Sequence, residues 1–399
     1  MAIEATHSDR PLVQILLEGL PKYRSVFLTR LKQSGRVNFK LYPAHQADAG
    51  LFDKSEAGAF AEDIVPPTRP ATELLGGRFS WHSHFRVDSD LGPGDVIVCA
   101  GNPRFLNIYP LTLTARKRGL PVIWWCQGWT PEASPTTTKI RHWLTKRFPD
   151  AVMVYTEKEA NAFVELGFPK ERTFFLNNTI DERLVQAAVD AIDDADLTAF
   201  QKKEVIADRK LLIFCSRLTP KTRLLQAIEA VERVRADHPD VLLAVIGDGV
   251  LREEAEAKVK AVGLADHVRF LGAMFDEDQL APWFLSAKCL LYPGPIGLSL
   301  LHAFAYGLPV VTHDNLKNQN PEIAALEPGA NGLTFRENDV ADFSNALGRI
   351  LADPAFQRSL SERARTTAHQ DYTMAAMVRN FQNAVLTMSR RPAAGELAA

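Results

Sequence analysis

Short apolar runs alternate with amphipathic helical patterns along almost the whole chain. This alternation predicts an α/β fold, because parallel strands must be joined by crossover helices. We expect strands at residues 13–17, 37–41, 95–99, 121–126, 151–155, 173–176, 210–215, 241–246, 268–271, 288–292, 309–312 and 332–335. We expect helices at residues 23–33, 104–118, 158–166, 223–237, 251–262, 278–286, 298–306 and 343–351, followed by a helical tail at 355–390.

The chain has 399 residues, which is long for one hydrophobic core and predicts two domains. We place the first domain at residues 1–182, a charged helical linker at 183–209 and the second domain at 210–365. The last helix, 366–390, has more apolar positions than a free tail needs. We therefore expect it to cross back to the first domain, ahead of a frayed tail at 391–399.

Charge and cysteine usage narrow the class of protein. The 46 Lys and Arg residues against 48 Asp and Glu give a net charge of −2, which lacks the basic excess of a nucleic-acid binder. The four cysteines are far apart and form no Cys-x-x-Cys pair, so we expect buried thiols in a reducing compartment. No apolar run approaches the roughly 20 residues of a membrane-spanning helix, and residues 1–10 lack a signal-peptide core. These features favour a cytoplasmic protein.

Several standard sites are missing from the sequence. It has no G-x-G-x-x-G after the first strand, no P-loop lysine, no G-x-S-x-G elbow and no H-E-x-x-H. A D-x-D sequence, Asp88-Ser89-Asp90, could hold a cation, but it lies in a Gly- and Pro-rich part of the loop-rich insert 43–92, so we expect a solvated turn. In the same insert His82 and His84 could be substrate-side groups, but we expect them to be exposed loop residues. No metal site is predicted.

The most informative stretch is 294–311. A predicted strand enters a Gly- and Pro-rich loop, a helix of about ten residues follows and ends at Gly307, and Pro309 starts the next strand. A helix that starts in such a loop directs backbone N–H groups and its dipole at an anion such as a diphosphate. The glycines alone would equally fit tight packing between strand and helix.

This stretch resembles the donor-binding signature of retaining GT-B glycosyltransferases, in particular family 4. Residues 216–223 are similar to the G-R-L-x-x-x-K phosphate clamp of that family. Weaker similarity to bacterial polysaccharide-type members extends into the first half of the chain. The other segments that fall in the family's order are 245–249, 268–272, 321–323 and 331–333, with 19–24, 124–129 and 177–181 in the first half. The resemblance implies an α/β GT-B fold, with two Rossmann-like domains facing a central cleft, the first on the acceptor side and the second binding a nucleotide sugar.

The resemblance also implies roles for individual residues. Arg217 and Lys221 become catalytic candidates, because fixed cations stabilise the negative charge that grows on a leaving diphosphate. The family usually has its lysine five residues after the arginine, where this chain has Thr222; Lys221 and Arg223 flank that position, and we prefer Lys221. The donor-binding candidates are Gly19, Arg223, Asp248, Gly294, Gly297, Leu298, His302 and Glu322.

The chain departs from the family at its E-x7-E motif, where it has Gly294 and His302. His302 could bind a ribose, a phosphate or a base, or be satisfied within the core, whereas Gly294 offers only backbone. Glu322 fits either a site-facing loop or the acidic start of a helix. The departure has two interpretations. Either the protein uses a different donor or binds the donor in a different pose, or it is a degenerate copy of the family that does not catalyse transfer.

In the first domain the resemblance places Tyr23, Arg24, Gln127 and Trp129 on the acceptor side. Gln127 cannot act as a general base, which the family tolerates because its leaving phosphate is thought to take the acceptor proton. Two basic, aromatic segments, 135–149 and 23–36, suit the headgroup region of an anionic membrane, although ordinary solvated helix faces would look similar.

The predicted function is metal-independent transfer of a hexose, with retention, from a nucleotide-diphosphate sugar to a cell-envelope glycan or lipid-linked acceptor. No cofactor is expected, the nucleotide sugar being a co-substrate. The expected partners are the nucleotide sugar, the acceptor and an anionic membrane surface at the inner face of the plasma membrane, without nucleic acid. The alternatives are a non-catalytic GT-B partner subunit and a GT-B sugar-nucleotide epimerase.

Overall fold

The computed structural model describes residues 10–20, 22–44, 56–128 and 134–390. It divides into two compact units. The first unit holds the chain up to Asn177 together with the residues from Met374 onward, and the second runs from Asn178 to Thr373. Within the described ranges, no helix is long and apolar enough to span a bilayer.

The first unit consists of strands β1 (Leu12–Leu17), β2 (Asn38–Pro43), β3 (Thr72–Leu74), β4 (Phe79–Trp81), β5 (Val96–Ala100), β6 (Val122–Trp125), β7 (Ala151–Val154) and β8 (Thr173–Phe175), with helices α1 (Lys22–Ser34), α2 (Ile108–Lys117), α3 (Pro135–Arg147) and α4 (Glu157–Glu165). Six strands form a parallel sheet of order β2-β1-β5-β6-β7-β8. Strands β6 and β7 are apolar and buried at every position, as expected for strands that have helices on both faces of the sheet.

The second unit consists of strands β9 (Lys210–Cys215), β10 (Val241–Ile246), β11 (Val268–Gly272), β12 (Cys289–Tyr292), β13 (Val310–His313) and β14 (Gly332–Phe335), with helices α5 (Glu182–Asp190), α6 (Asp194–Lys203), α7 (Leu224–Val234), α8 (Arg252–Ala261), α9 (Glu277–Ser286), α10 (Ser299–Ala305), α11 (Val340–Ala352) and α12 (Pro354–Thr366). Its six strands are all parallel in the order β11-β10-β9-β12-β13-β14. The predicted α/β class with two parallel sheets is confirmed.

One observed element was not predicted, and two predicted elements differ from the observed ones. The antiparallel hairpin β3–β4 was not expected, since its short strands have no buried face that would produce an alternating pattern. Helix α2 begins at Ile108 rather than 104, because the residues before it bind β4: Ser80 N donates to Arg104 O and Leu106 N donates to Ser80 O. The predicted tail helix is interrupted by a π-helical turn at Thr367–Asp371.

The final helix, α13 (Met374–Ser389), completes the core of the first unit. Phe381 is fully buried and packs edge-on against Phe27 of α1, with ring centroids 5.4 Å apart. Its ring also lies 6.1 Å from that of Trp125 on β6. The amphipathic pattern at the end of the chain is thus explained by burial against α1 and the first sheet.

A charged cluster connects the loops at the β13–β14 edge of the second unit. Arg223, in the left-handed region at φ 57°, places its Nη2 2.7 Å from Glu337 Oε1. Asn315 Nδ2 and Asn318 Nδ2 also donate to this carboxylate. Burial alone would raise the pKa of Glu337, but these donors lower it to about 2. Burial lowers the pKa of nearby His313 to about 4, against the opposing effect of Glu337.

The cluster predicts an acid-dependent loss of stability. The pKa of Glu337 is lower in the folded than in the unfolded protein. Its contribution to the free energy of unfolding is therefore present above the ordinary carboxyl pKa of 4.5 and is lost as pH falls toward 2. We expect Glu337→Gln to flatten the fall in unfolding free energy over that window and to cost about 1–3 kcal/mol at pH 7, since Arg223 loses its charged partner. Denaturant unfolding at a series of pH values measures both effects. The exposed Glu362→Gln is the control; an unchanged pH slope in Glu337→Gln would contradict the assignment.

The final helix predicts a large packing effect. Phe381→Ala removes a fully buried ring, and we expect the first unit to lose about 3–5 kcal/mol of unfolding free energy. Thermal unfolding followed by tryptophan fluorescence reports on this unit through Trp124 and Trp125. Asn383→Ala, at an exposed position of the same helix, should leave the unfolding temperature unchanged. Equal unfolding temperatures for the two variants would show that α13 does not stabilise the unit.

Candidate functional site

The strand order reverses direction at one point in each sheet. In the second sheet the chain runs outward from β9 to β10 and β11, then returns to the other side of β9 with β12, β13 and β14. The loops that follow β9 and β12 therefore leave the carboxyl edge in opposite directions, which is where open parallel sheets bind ligands. These two loops, 216–223 and 293–298, carry most of the donor-side residues predicted from the sequence.

The two loops touch through their backbones at Gly294. A Cβ atom on Gly294 would lie 2.4 Å from Lys221 O and 2.9 Å from Thr222 Cα, so no side chain fits unless a loop moves. Gly297 is less crowded: its added Cβ would lie 3.8 Å from Glu322 Oε2. Leu298 directly precedes α10. The close packing of the two loops in this structure therefore requires a glycine at position 294.

The predicted cations have different environments. Arg217 and Lys221 are exposed, and neither has a carboxylate partner within the ranges described above. Arg223, predicted as a donor contact, is instead held by the Glu337 carboxylate and the carbonyl of Pro293. Arg217 and Lys221 are therefore the better candidates for a ligand phosphate.

Asp248 occupies a tight turn between β10 and α8. One carboxylate oxygen accepts from Gly249 N at 2.7 Å, and the other lies 3.6 Å from Arg252 Nη1. The glycines on either side, Gly247 and Gly249, have φ of 139° and 151°. Added Cβ atoms there would lie 1.9 Å from Ser216 O and 2.4 Å from Leu218 O, so this turn packs directly on the loop that carries Arg217.

His302 lies against an acidic residue that the sequence did not single out. Its Nε2 is 3.1 Å from both carboxylate oxygens of Glu277, the first residue of α9. Tyr306 OH donates to the same carboxylate at 2.5 Å, and burial raises the pKa of this phenol. Burial also raises the pKa of the Cys215 thiol to about 12, with Glu277 adding to the effect. Glu277 thus lies close to the end of β9.

Glu322 lies in the short 3₁₀ segment Pro321–Ala325 and is buried. Its Oε1 accepts from Asn178 Nδ2 at 2.7 Å. The sequence left open a site-facing loop or the start of a helix. The structure places the residue in a short helical segment with its other carboxylate oxygen near Gly297.

A cavity of about 1160 Å³ opens at the carboxyl edge of the first sheet. It lies at the equivalent reversal of strand order, between β1 and β5. Gly19, Arg24 and Gln127, all predicted from the sequence, line this cavity together. An added Cβ on Gly19 would meet no atom within 4 Å, so its backbone faces open space.

Arg24 is fixed by two aromatic residues. Its guanidinium carbon lies 4.2 Å from the centroid of the Trp125 ring, a cation–π distance, and its Nη2 donates to Tyr155 OH at 2.9 Å. The carbonyl of Gln127 accepts from Arg141 Nη2 at 2.8 Å. Trp129 and the side chain of Tyr23 lie outside the described residues.

The expectation for the two histidines of the insert 43–92 was wrong, and that for the D-x-D sequence holds in part. His82 and His84 are buried rather than exposed; His82 packs on Phe105 with ring centroids 4.6 Å apart, and His84 Nε2 lies 2.6 Å from Pro43 O. Ser89 and Asp90 form the predicted exposed turn, whereas Asp88 is half-buried and binds Lys40 Nζ at 3.0 Å and the Tyr42 hydroxyl. In the part of the chain described, no group of three His, Cys, Asp or Glu side chains could hold a metal ion.

Sequence reasoning missed Glu277, Glu337, Tyr155 and Arg141, which position predicted residues. Glu277 stands at a helix start, where an acidic residue is ordinarily explained by the helix dipole. Glu337 is 114 positions from Arg223, and Tyr155 is 131 positions from Arg24. No local pattern signals pairings over such separations.

Comparison with known proteins agrees with this geometry. Residues 196–367 match the family described as Glycosyl transferases group 1. An exopolysaccharide phosphotransferase of Streptomyces coelicolor is 30% identical over 191 residues, 46% of this chain and 20% of that protein. The lipopolysaccharide core biosynthesis glycosyltransferase LpsE of Rhizobium meliloti is 27% identical over 224 residues, 55% of this chain and 59% of that protein. The chain thus spans less than two thirds of the length of either relative.

Among solved structures, HepE of Anabaena in complex with UDP has a TM-score of 0.68 at 16% identity, covering 94% of this chain and 98% of that one. This likeness confirms the predicted GT-B fold with two Rossmann-like parallel-sheet domains. The family match covers residues 196–367, which is the part of the chain where the sequence predicted the nucleotide-sugar domain of a glycosyltransferase.

Proposed function

We propose that this protein is a glycosyltransferase that binds a nucleotide-diphosphate sugar in its second unit. The observation that carries the proposal is the reversal of strand order beside β9, where the exposed cations Arg217 and Lys221 follow the strand end. This edge lies within the residues that match the glycosyl transferases group 1 family. The solved HepE complex contains UDP, which supports UDP as the nucleotide.

The chemistry of transfer requires positive charge at this edge. Cleavage of the bond between sugar and diphosphate builds negative charge on the phosphate oxygens, and fixed cations stabilise it most in the transition state. Arg217 can bind two phosphate oxygens at once, whereas Lys221 acts as a point charge. Arg223 contributes indirectly, because its ion pair with Glu337 fixes the loop that carries both.

We further propose retention at the anomeric carbon, as in family 4, without a cofactor. The resemblance of residues 216–223 and 294–311 to that family supports this. In such a reaction the leaving phosphate takes the acceptor proton, which fits the presence of Gln127, a side chain that cannot act as a base, in the wall of the first-unit cavity. His302, held by Glu277, replaces a carboxylate as the hydrogen-bonding group toward the donor.

The acceptor is proposed to bind in the cavity of the first unit, where Arg24 and Gln127 lie. The names of the two relatives, one for lipopolysaccharide core and one for exopolysaccharide, support a cell-envelope glycan or a lipid-linked precursor. One observation favours a second candidate, a non-catalytic GT-B partner: position 294 has no room for the family's glutamate. Such a partner would bind UDP without releasing it from UDP-sugars.

An anionic membrane surface is the remaining proposed partner, with the protein peripheral on the inner face of the plasma membrane. On α3, Ile140 and Trp143 are 55% and 61% exposed, and Lys139 and Arg147 are exposed beside them. This combination suits the headgroup region. The second predicted segment, 23–36, does not offer such a face, because Phe27 is buried and Lys32 pairs with Glu62 and Asp63.

The donor site predicts a specific loss of nucleotide affinity. Replacing Arg217 by Gln removes one charge-assisted hydrogen-bonding group, and we expect the Kd for UDP to rise at least about tenfold. Calorimetric titration measures this, with Arg358→Gln, an exposed arginine on α12, as the control.

A second experiment separates an enzyme from a non-catalytic partner: it measures the release of UDP from UDP-sugars in the presence of cell-envelope glycans and identifies the product anomer by NMR. Failure of UDP, GDP, dTDP and CMP alike to bind would overturn the proposal.

The membrane proposal predicts binding through α3. We expect the wild-type protein to sediment with phosphatidylglycerol vesicles at physiological salt, and the double variant Ile140→Ser, Trp143→Ser to bind about tenfold more weakly, because two apolar side chains no longer enter the interface. Leu113→Ser, an exposed apolar position of the same unit, is the matched control. Absence of wild-type binding, or equal binding of all three proteins, would contradict the proposal.

A further inference from the structure

Two arginines share a hollow at the turn of the β3–β4 hairpin. The hollow has a volume of about 410 Å³ and is lined by Gly76, Gly77, Arg78, Phe79 and Arg104. Both arginine side chains are exposed, and neither forms an ion pair within the described part of the chain. No acidic residue belongs to the lining. The hairpin does carry Glu73, whose Oε2 lies 3.4 Å from the Cβ position of Gly77.

The two arginines come from different segments that hydrogen bonds hold together. Arg78 directly precedes β4, whereas Arg104 lies in the loop after β5. Ser80 N donates to Arg104 O at 2.9 Å, and Leu106 N donates to Ser80 O at 3.0 Å. The turn itself is formed by Gly76 and Gly77 at φ 66° and 78°, which allow the backbone to fold tightly over the hollow. These hydrogen bonds therefore fix the backbone positions of the two arginines relative to each other.

The hollow adjoins the large cavity of the first unit. Phe79 and Arg104 line both spaces. The large cavity is also lined by Arg24 and Arg141, while Glu18 is the single acidic residue in its lining. Four arginines and one glutamate line the two spaces, with Glu73 beside the turn, so cationic side chains outnumber acidic ones there, and a concave surface concentrates the potential of the groups that line it. Neutral sugars need hydrogen bonds but not this excess of charge.

We propose that the acceptor carries an anionic group, a phosphate or a carboxylate, and that Arg78 and Arg104 bind this group in the hollow. The guanidinium group matches both anions because its N–H donors pair with two oxygens at once. The remainder of the acceptor occupies the large cavity, with Arg24 in its wall. The identification of the ligand as an acceptor rests on the proposed transfer reaction, but the anion site itself can be tested by binding alone.

The test compares three sugars that differ only at carbon 6: glucose 6-phosphate with a phosphate ester, glucuronate with a carboxylate and glucose with a neutral hydroxymethyl group. Binding to the whole protein is followed by ligand-observed NMR at low salt. We expect at least one anionic sugar to bind at least about fivefold more tightly than glucose, and the preference to weaken with added salt, as electrostatic binding requires. The phosphate and carboxylate arms show which anion the hollow prefers.

Variants assign the site. Arg104→Gln and Arg78→Gln should each reduce the preference for the anionic sugar at least about threefold, and Arg104→Lys should retain part of it. Arg69→Gln, an exposed arginine that lines neither space, should bind as the wild type does. Equal binding of charged and neutral sugars, no binding of any of them, or an unchanged preference in both glutamine variants would overturn the inference. Titration of UDP into the same samples tests the donor site separately, so that failure of one proposal is not taken for failure of the other.

Discussion

The backbone contact between the loops after β9 and β12 is the constraint on which the second unit's site depends. An added Cβ at Gly294 would collide with Lys221 O and Thr222 Cα, which are backbone atoms and cannot rotate away. The turn at Gly247 and Gly249 packs equally closely on Ser216 and Leu218. Three loops are thus joined through backbone rather than side chains, and the position of Arg217 follows from that. A glutamate at 294 would have to separate two of these loops, so the glycine at this position is part of how this edge is packed.

Ion pairs then give similar side chains of this edge different environments. Arg217 and Arg223 lie six positions apart in one loop region, yet Arg223 is neutralised by Glu337 while Arg217 is exposed without a carboxylate partner in the described ranges. His302 is likewise held by Glu277, which fixes which of its ring nitrogens faces the carboxylate. Within the described residues, ion pairs thus decide which arginine at this edge stays exposed for a ligand.

The sequence was sufficient for the two sheets because buried parallel strands such as β7 and β10 are apolar at every position and are separated by helical periodicity. It was insufficient where a distant partner decides the outcome. The guanidinium of Arg223 is paired with Glu337, and His82 is buried against Phe105 and Asn107. These contacts join residues that are distant in the sequence, so a local pattern cannot show them. The β3–β4 hairpin escaped prediction because Thr72–Leu74 is exposed at all three positions and lacks the alternation that marks a half-buried strand.

The net charge of −2 does not describe how charged side chains are distributed around the candidate sites. Screening limits the reach of a surface charge to about 8–10 Å in physiological salt, so a ligand responds to the few groups around it and not to the sum over 399 residues. Both sheets bring arginines to the carboxyl edge near the reversal of strand order: Arg217 in the second unit, and Arg24 and Arg104 in the first. In open parallel sheets the loops gather at this edge, so positive charge placed there acts on whatever the loops hold. The same architecture, used twice in one chain, therefore supports both proposals: a nucleotide diphosphate at the second unit and an anionic group on the acceptor at the first.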